Sequence, residues 1–229
     1  MSLKLRSPSD RRWAVATGFA ASALALAMPS AAVANDQPCL GPQLGGVYDN
    51  VVVPPGAECE LANALVLGNV KALEDSRLRV VNTEVRGGVH GDKAEAVSVT
   101  EGTVGGDVNA SEGETPGDAA FDFELSSRVG GNVKVEEMAG NVSVVGSQIG
   151  GGLIVLDNAI PEALTIDGNS VAGNVQVFKN FGPGIKSVSA NNVGADLQCQ
   201  ENDPPFLGQG NIVRGNAEGQ CAQPRLPTP

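Results

Sequence analysis

His90 is the only histidine in the sequence, so any mechanism that needs an imidazole base must use it. Arg86 and Asp92 lie within four residues of it, and Arg79 belongs to the preceding repeat. These four residues form the one enzyme-like cluster that can be assembled from the sequence. The competing interpretation is a solvated surface with one polar histidine. It is favoured because the surrounding segments lack the loops that wall a substrate cleft.

The four cysteines, Cys39, Cys59, Cys199 and Cys221, form two widely separated pairs along the chain. There is no Cys-x-x-Cys motif and no neighbouring histidine, so zinc ligation is disfavoured. An even number of cysteines in an exported chain predicts disulfides. Four cysteines allow three pairings, and the sequence spacing alone leaves all three open.

An acidic segment, residues 111–118, could bind a cation or a partner through Glu112, Glu114 and Asp118. Carboxylates are ligands that calcium prefers. The segment lies in the longest spacing between repeats, where a tolerated surface insertion is the more common explanation.

A second candidate for calcium is a row of polar residues that follow a glycine. Asn and Asp also tolerate left-handed backbone and hydrogen-bond adjoining turns, so a structural ladder explains the same row. We favour the ladder, because Gly88 and Gly152 interrupt the row and the Gly-Gly-x-Gly-x-Asp calcium repeat is absent. We therefore expect no cofactor. The row consists of Asn69, Asp107, Asn132, Asn174, Asp196 and Asn216.

Residues 1–34 have the three parts of a secretory signal peptide. Residues 13–28 are apolar, and Ala32-Val33-Ala34 is a small-x-small cleavage site. These 16 apolar residues are fewer than the roughly 20 that span a bilayer, which disfavours a membrane anchor. We expect cleavage after Ala34 and a secreted or envelope protein that is not inserted in the membrane. The basic residues that precede the apolar run are Lys4, Arg6, Arg11 and Arg12.

The chain is acidic, with 15 basic and 26 acidic residues and a net charge of −11. Removal of residues 1–34 leaves 11 basic and 25 acidic residues, a net charge of −14. Such a surface repels phosphate backbones and anionic lipids, so neither nucleic acid nor bare membrane is expected as a partner. An extracellular or envelope partner and divalent cations stay open.

A repeat with the pattern Val-x-Gly-[Asn/Asp/Gly]-[Val/Leu] organises the rest of the chain. Its spacings are 19, 19, 25, 20, 22, 22 and 20 residues. A short alternating strand follows each unit, and a second one precedes the next unit, as in Leu78-Arg79-Val80. Period-two alternation predicts strands. The units begin at Val66, Val85, Val104, Val129, Ile149, Val171, Val193 and Val213.

These strands have no helices to cover them, because no helix-period stretch follows the signal peptide. Coiling the chain so that each rung pairs in parallel with the next buries one apolar column per inward position. A β-sandwich also uses short alternating strands, but it does not require the same residue types at the same offset in every repeat. We therefore predict an all-β fold, a single parallel β-solenoid of about eight to nine rungs over residues 35–222. A disordered tail follows at 223–229.

The solenoid restricts the cysteine pairing. Separations of 20 and 22 residues equal one rung, and neighbouring rungs lie about 4.8 Å apart, close to the Cα separation of a disulfide. Cys59 falls in the column of Leu78, and Cys199 follows the strand register, so both should point inward. We expect Cys39–Cys59 and Cys199–Cys221, although Cys221 is two residues out of register.

Several segments carry a resemblance. Val-Gly-Gly-Asn-Val-Lys-Val at 129–135, Val-Ala-Gly-Asn-Val-Gln-Val at 171–177, Val-Pro-Pro-Gly-Ala-Glu-Cys at 53–59 and Asp-Leu-Gln-Cys at 196–199 resemble secreted bacterial repeat proteins with paired terminal cysteines. More distantly, the repeats are similar to the bactofilins, cytoskeletal β-solenoids that polymerise. The resemblance covers about residues 47–221 and implies the fold much more strongly than a function.

Three functions are compatible with these patterns. The first is a non-enzymatic secreted or cell-surface scaffold, monomeric because Pro54-Pro55 and Pro204-Pro205 would blunt the first and last rungs. The second is a polysaccharide-acting enzyme, since pectin-cleaving β-helices use acidic residues, calcium and an arginine on one outer face. The third is a bactofilin-like polymer. We expect the scaffold.

Overall fold

The computed structural model describes residues 35–113 and 121–222, and every regular element within them is a β-strand. All strand pairs are parallel, and they stack as a β-solenoid of about eight turns. The predicted fold is therefore confirmed. None of the described residues forms a helix that could cross a membrane. The predicted signal peptide and the tail at 223–229 lie outside the described residues.

Each complete turn contributes strands to three faces. The first face is a sheet of ten strands: β1 (Asp36–Pro38), β4 (Asn50–Val53), β7 (Val70–Ala72), β10 (Val89–Asp92), β12 (Val108–Ser111), β14 (Val133–Glu136), β17 (Leu153–Leu156), β20 (Val175–Phe178), β23 (Leu197–Gln200) and β25 (Ala217–Gly219).

The second and third faces belong to one sheet, because two long strands continue from one face to the other. The second face contains β2 (Gly41–Leu44), β5 (Glu58–Ala62), β8 (Arg77–Val81), β15 (Gly140–Val145), β18 (Ala163–Asp167) and β21 (Ile185–Ser189). The third contains β3 (Val47–Tyr48), β6 (Leu65–Val66), β9 (Glu84–Val85), β16 (Gln148–Ile149), β19 (Ser170–Val171), β22 (Asn192–Val193) and β24 (Ile212–Val213). The two shared strands are β11 (Ala96–Val104) and β13 (Phe121–Val129).

The repeat units that start at Val66 and end at Val213 pair with one another in unbroken register on the third face. The inward side chains on each face form apolar columns, and most are fully buried. Each buried valine or leucine contributes roughly 1.5–3 kcal/mol relative to exposure. A fixed offset in every rung thus buries the same column throughout.

The N-terminal end begins one rung earlier than the repeat pattern shows. Strands β1, β2 and β3 precede the segment that contains Pro54-Pro55, so those prolines lie between β4 and β5 and do not belong to the first rung. The extra rung was missed because Tyr48 replaces the repeat valine and pairs with Val66. The prolines in the edge strands are Pro38 and Pro42.

The three corners of the rungs place polar residues at regular positions. The first corner joins the first face to the second, the second corner joins the second face to the third, and the third corner returns to the first face. The first corner starts with a left-handed residue in seven successive rungs, each with φ between 52° and 57°. These residues are Asp75, Lys93, Glu112, Glu137, Asp157, Lys179 and Glu201.

Candidate functional site

Both predicted disulfides are present, Cys39–Cys59 and Cys199–Cys221, with Cα separations of 5.5 and 5.3 Å. Cys59 and Cys199 point inward and are 4 % and 0 % exposed. Each bond joins one end of the solenoid to the adjacent rung, because Cys59 lies in the second strand of its face and Cys199 in the last but one. The end turns are therefore held covalently as well as by the sheet.

Both disulfides share a geometric device that the spacing did not reveal. Gly41 lies opposite Cys59, and Gly219 lies opposite Cys199, in the strand register. The terminal cysteine is two residues away from the glycine in each case. Both glycines have positive φ, and a Cβ at Gly219 would lie 2.1 Å from the carbonyl oxygen of Cys199. A turn at the glycine thus brings Cys221 back over its partner.

The row of Asn and Asp predicted as a ladder lies at the third corner. Asn69 Oδ1 accepts a hydrogen bond from the backbone N–H of Gly88 in the next rung at 2.8 Å. Asp107 accepts from Asn132 N–H at 2.6 Å, and Asn174 accepts from Asp196 N–H at 3.0 Å. These side-chain oxygens accept hydrogen bonds from backbone N–H groups of the next rung, so they have a structural role. In the same way, Gly152 N–H donates to Asn132 Oδ1 and Asn216 N–H donates to Asp196 Oδ1.

Two buried polar columns were missed in the sequence. At the first corner, Asn158, Asn180 and Asn202 are at most 3 % exposed, and Asn180 Nδ2 donates to Asn202 Oδ1 at 2.8 Å. At the second corner, Asn169 Nδ2 donates to Asn191 Oδ1 at 2.9 Å. The constant spacing of 22 residues was the available signal. Both columns use their amides to satisfy neighbouring backbone groups, which a buried turn requires.

The four residues of the enzyme-like cluster lie on three faces. Arg79 is on the second face, Arg86 directly follows a strand of the third, and His90 and Asp92 are on the first. Asn109 Nδ2 lies 3.4 Å from His90 Nδ1. His90 and Asp92 share a strand, but the two arginines do not join them, because each follows a different corner. The expected single outward cluster is therefore not formed.

Both arginines of that cluster are engaged at the surface. Arg79 is 3.7 Å from Glu60, and Arg86 is 3.4 Å from Glu84. Such exposed pairs contribute about 0–1 kcal/mol each. Glu60 lies opposite Arg79 in the neighbouring strand, and Glu84 lies two residues before Arg86. They account for the two arginines as ordinary surface residues of the solenoid.

Of the three candidate carboxylates in the acidic segment, only Glu112 lies in the described part of the chain. Glu112 has a left-handed backbone and lies 3.9 Å from Lys93 Nζ. Glu114 and Asp118 fall outside the described residues. Within residues 35–113 and 121–222, no group of three or more His, Cys, Asp or Glu side chains is arranged to hold a metal ion.

Lys186 is a buried lysine that the sequence pattern did not single out. Its side chain points inward, and the residue is 1 % exposed. Nζ donates hydrogen bonds to the carbonyl oxygens of Gly182 at 2.9 Å, Gly184 at 3.2 Å and Asp203 at 2.8 Å. Burial lowers its pKa, and the negative charge of Asp203 works in the opposite direction. Lys186 thus anchors the segment that follows β23.

The third face carries a shallow groove of about 520 Å³ in the C-terminal half of the solenoid. Arg128 lies at one end of it and Arg214 at the other. The outward column that starts at Arg128 continues in adjacent strands through Gln148, Ser170 and Asn192, and Arg214 lies just beyond the strand that pairs with Asn192. No acidic residue lines the groove. It is therefore a positively charged strip on an acidic protein.

Comparisons of the chain with protein-family models, with curated proteins and with solved structures found no match. The similarity to the bactofilins stays a prediction from the repeat motifs.

Proposed function

We propose that this protein is a non-enzymatic scaffold of the cell exterior or envelope, a rigid rod that presents outward side chains at a fixed spacing to a partner. The observation that carries the proposal is the pair of disulfides, one at each end of the solenoid. Disulfides persist in oxidising compartments. A terminal repeat has a neighbour on one side only, so an additional covalent bond stabilises it. The residues predicted as a signal peptide agree with this location.

The use of the polar residues also supports a scaffold. At the three corners, amide and carboxylate oxygens hydrogen-bond the next rung, so they stabilise the stack. The candidate catalytic residues are distributed over three faces, and neighbouring glutamates pair with their arginines. A cleft that brings a base and an electrophile within hydrogen-bond reach of one substrate would require loops between the strands.

Purified protein incubated with acidic polysaccharides, with and without calcium, tests the non-enzymatic part of this proposal. We expect no new reducing ends and no unsaturated products. A product that His90→Ala abolishes and Gln176→Ala preserves would contradict the proposal and establish the polysaccharide-acting enzyme. Both substitutions are on the first face and outward, so the second controls for damage to the sheet.

A second candidate is end-to-end assembly, and exposed apolar residues at both ends favour it. Leu44 and Val47 are 75 % and 64 % exposed on the first rung. Leu207 and Ile212 are each 67 % exposed near the last. Short edge strands with apolar side chains can template the addition of another chain. Leu44→Lys with Ile212→Lys would then abolish assembly, whereas Val145→Lys, on an inner rung, would not.

A further inference from the structure

We propose that the groove on the third face binds an extended acidic polysaccharide, a chain that carries uronic acid carboxylates. The inference deepens the scaffold function and rests on it, since it identifies the surface that is presented and the chemistry of its partner.

The charges of the groove differ from those of the surrounding surface. Arg128 and Arg214 have no ion-pair partner among the described residues, whereas Arg77, Arg79 and Arg86 each lie within 4 Å of a glutamate. The groove has no acidic lining residue, although the chain contains 26 of them. Two free guanidinium groups on such a surface are suited to carboxylates, which they can bind with two parallel hydrogen bonds.

The side chains between the arginines are neutral and available for hydrogen bonds. Gln148, Ser170 and Asn192 lie side by side in three successive strands, about 4.8 Å apart. Their side chains make no hydrogen bond to any described residue, unlike Asn169 and Asn191 at the adjacent corner. Amides and hydroxyls both donate and accept, so they match sugar hydroxyls. Each rung therefore offers one such group to a ligand lying along the axis.

The floor beside this column is backbone. A Cβ at Gly130 would lie 2.4 Å from the carbonyl oxygen of Gly105, and one at Gly150 would lie 2.4 Å from that of Gly130. Close stacking of the rungs thus accounts for these glycines. Because these glycines have no side chain, a ligand can approach the main chain along this strip.

The combination of two charges with a neutral column selects the ligand class. Arg128 and Arg214 are separated by four rungs, about 19 Å along the axis. A polyuronate carries a carboxylate and free hydroxyls on each sugar, so an extended chain can reach both guanidinium groups and the neutral side chains between them. A DNA backbone carries phosphates but no free hydroxyls along it. Screening beyond about 10 Å at 0.1 M salt allows local attraction to outweigh the distant negative charge.

The experiment is isothermal titration of the mature protein, residues 35–229, with an oligogalacturonate of defined length, in EDTA so that calcium cannot bridge the two. Arg128→Gln with Arg214→Gln removes the two groove charges. Lys71→Gln with Arg79→Gln removes two charges from the other faces and is the matched control. Ser170→Glu adds a negative charge at the centre of the groove. Circular dichroism melting confirms that each variant is folded.

We expect the wild-type protein and the control to bind, with affinity that falls as salt is raised. The groove double variant should bind at least about tenfold more weakly, because charge-assisted hydrogen bonds are lost, and Ser170→Glu should weaken binding as well. No binding by the wild type, or equal losses in the groove and control variants, would overturn the inference. Tighter binding of poly-glutamate or of single-stranded DNA would also overturn it. Sedimentation of the same samples separates this failure from that of the scaffold, since an unbound monomer rejects only the groove and filaments reject the scaffold.

Discussion

Lys186 lies opposite Leu164 in adjacent strands of the second face, at an inward position. From Cys59 to Leu164, the side chains of the same column are apolar and buried. A charged group replaces them in the last strand of this face, where the following segment closes the end. Buried ammonium groups require hydrogen-bond partners, and the carbonyl oxygens of Gly182, Gly184 and Asp203 provide them.

Replacement of Lys186 by methionine should lower the free energy of unfolding by about 1–3 kcal/mol at neutral pH, because three carbonyl oxygens lose their donor. Chemical denaturation measures the change. Lys71→Met is the control, since Lys71 is exposed on the first face, and it should change the free energy by less than about 0.5 kcal/mol. A Lys186→Met protein as stable as the wild type would show that the three contacts contribute nothing.

The pH dependence of the same pair of proteins gives a second test. Burial lowers the pKa of Lys186 from its ordinary value of 10.5, so the folded protein releases this proton at lower pH than the unfolded chain. Between the lowered pKa and 10.5, the unfolded chain binds more protons. The free energy of unfolding of the wild type should therefore rise with pH relative to Lys186→Met across that interval. A difference that falls with pH would reverse the predicted sign.

The buried amide column at the first corner should contribute strongly to stability. Asn180→Ala removes donors to Val155 O at 3.1 Å and to Asn202 Oδ1 at 2.8 Å, and it removes the acceptor for Asn158. The expected loss is roughly 2–4 kcal/mol in urea unfolding. Gln176→Ala on the outward first face should cost about 0.5 kcal/mol or less. Equal costs would mean that the buried column has no special role.

Each disulfide should stabilise the end rung that it closes. Cys39→Ser with Cys59→Ser, or the corresponding pair at the C-terminal end, should cost about 3 kcal/mol, the value expected for loops of 20 and 22 residues. Because each rung contacts only its neighbours, hydrogen exchange should accelerate first in the adjacent rungs. Uniform acceleration along the whole solenoid would contradict local capping.

The sequence predicted the fold because stacking imposes one residue type at one offset in every rung. Val85, Val104 and Val129 were aligned from their motif, and the strands pair them directly. The first rung was not detected, because Tyr48 departs from the motif and lies closer in sequence to Val66 than the other repeat units lie to one another. A repeat detected by similarity is least visible at its ends, where capping requirements replace stacking requirements.

Sites were harder to predict than rungs. The period-two pattern gives inward or outward orientation, but it does not show which corner separates two outward residues. Arg79 and His90 are only 11 residues apart, yet two corners place them on different faces. Conversely, Arg128 and Arg214 are 86 residues apart in sequence and border one groove. Spatial neighbours along a solenoid are separated by whole turns, so a local search for clusters overlooks them.

The central claim is that this is a capped rod that stays monomeric. Sedimentation velocity of the mature protein, with electron microscopy of the same samples at millimolar calcium and at high salt, tests it most directly. We predict a single monomeric species under both conditions, because disulfides fix both ends, prolines lie in the first two strands and the net charge is strongly negative. Ordered filaments under either condition would contradict the claim and establish end-to-end polymerisation.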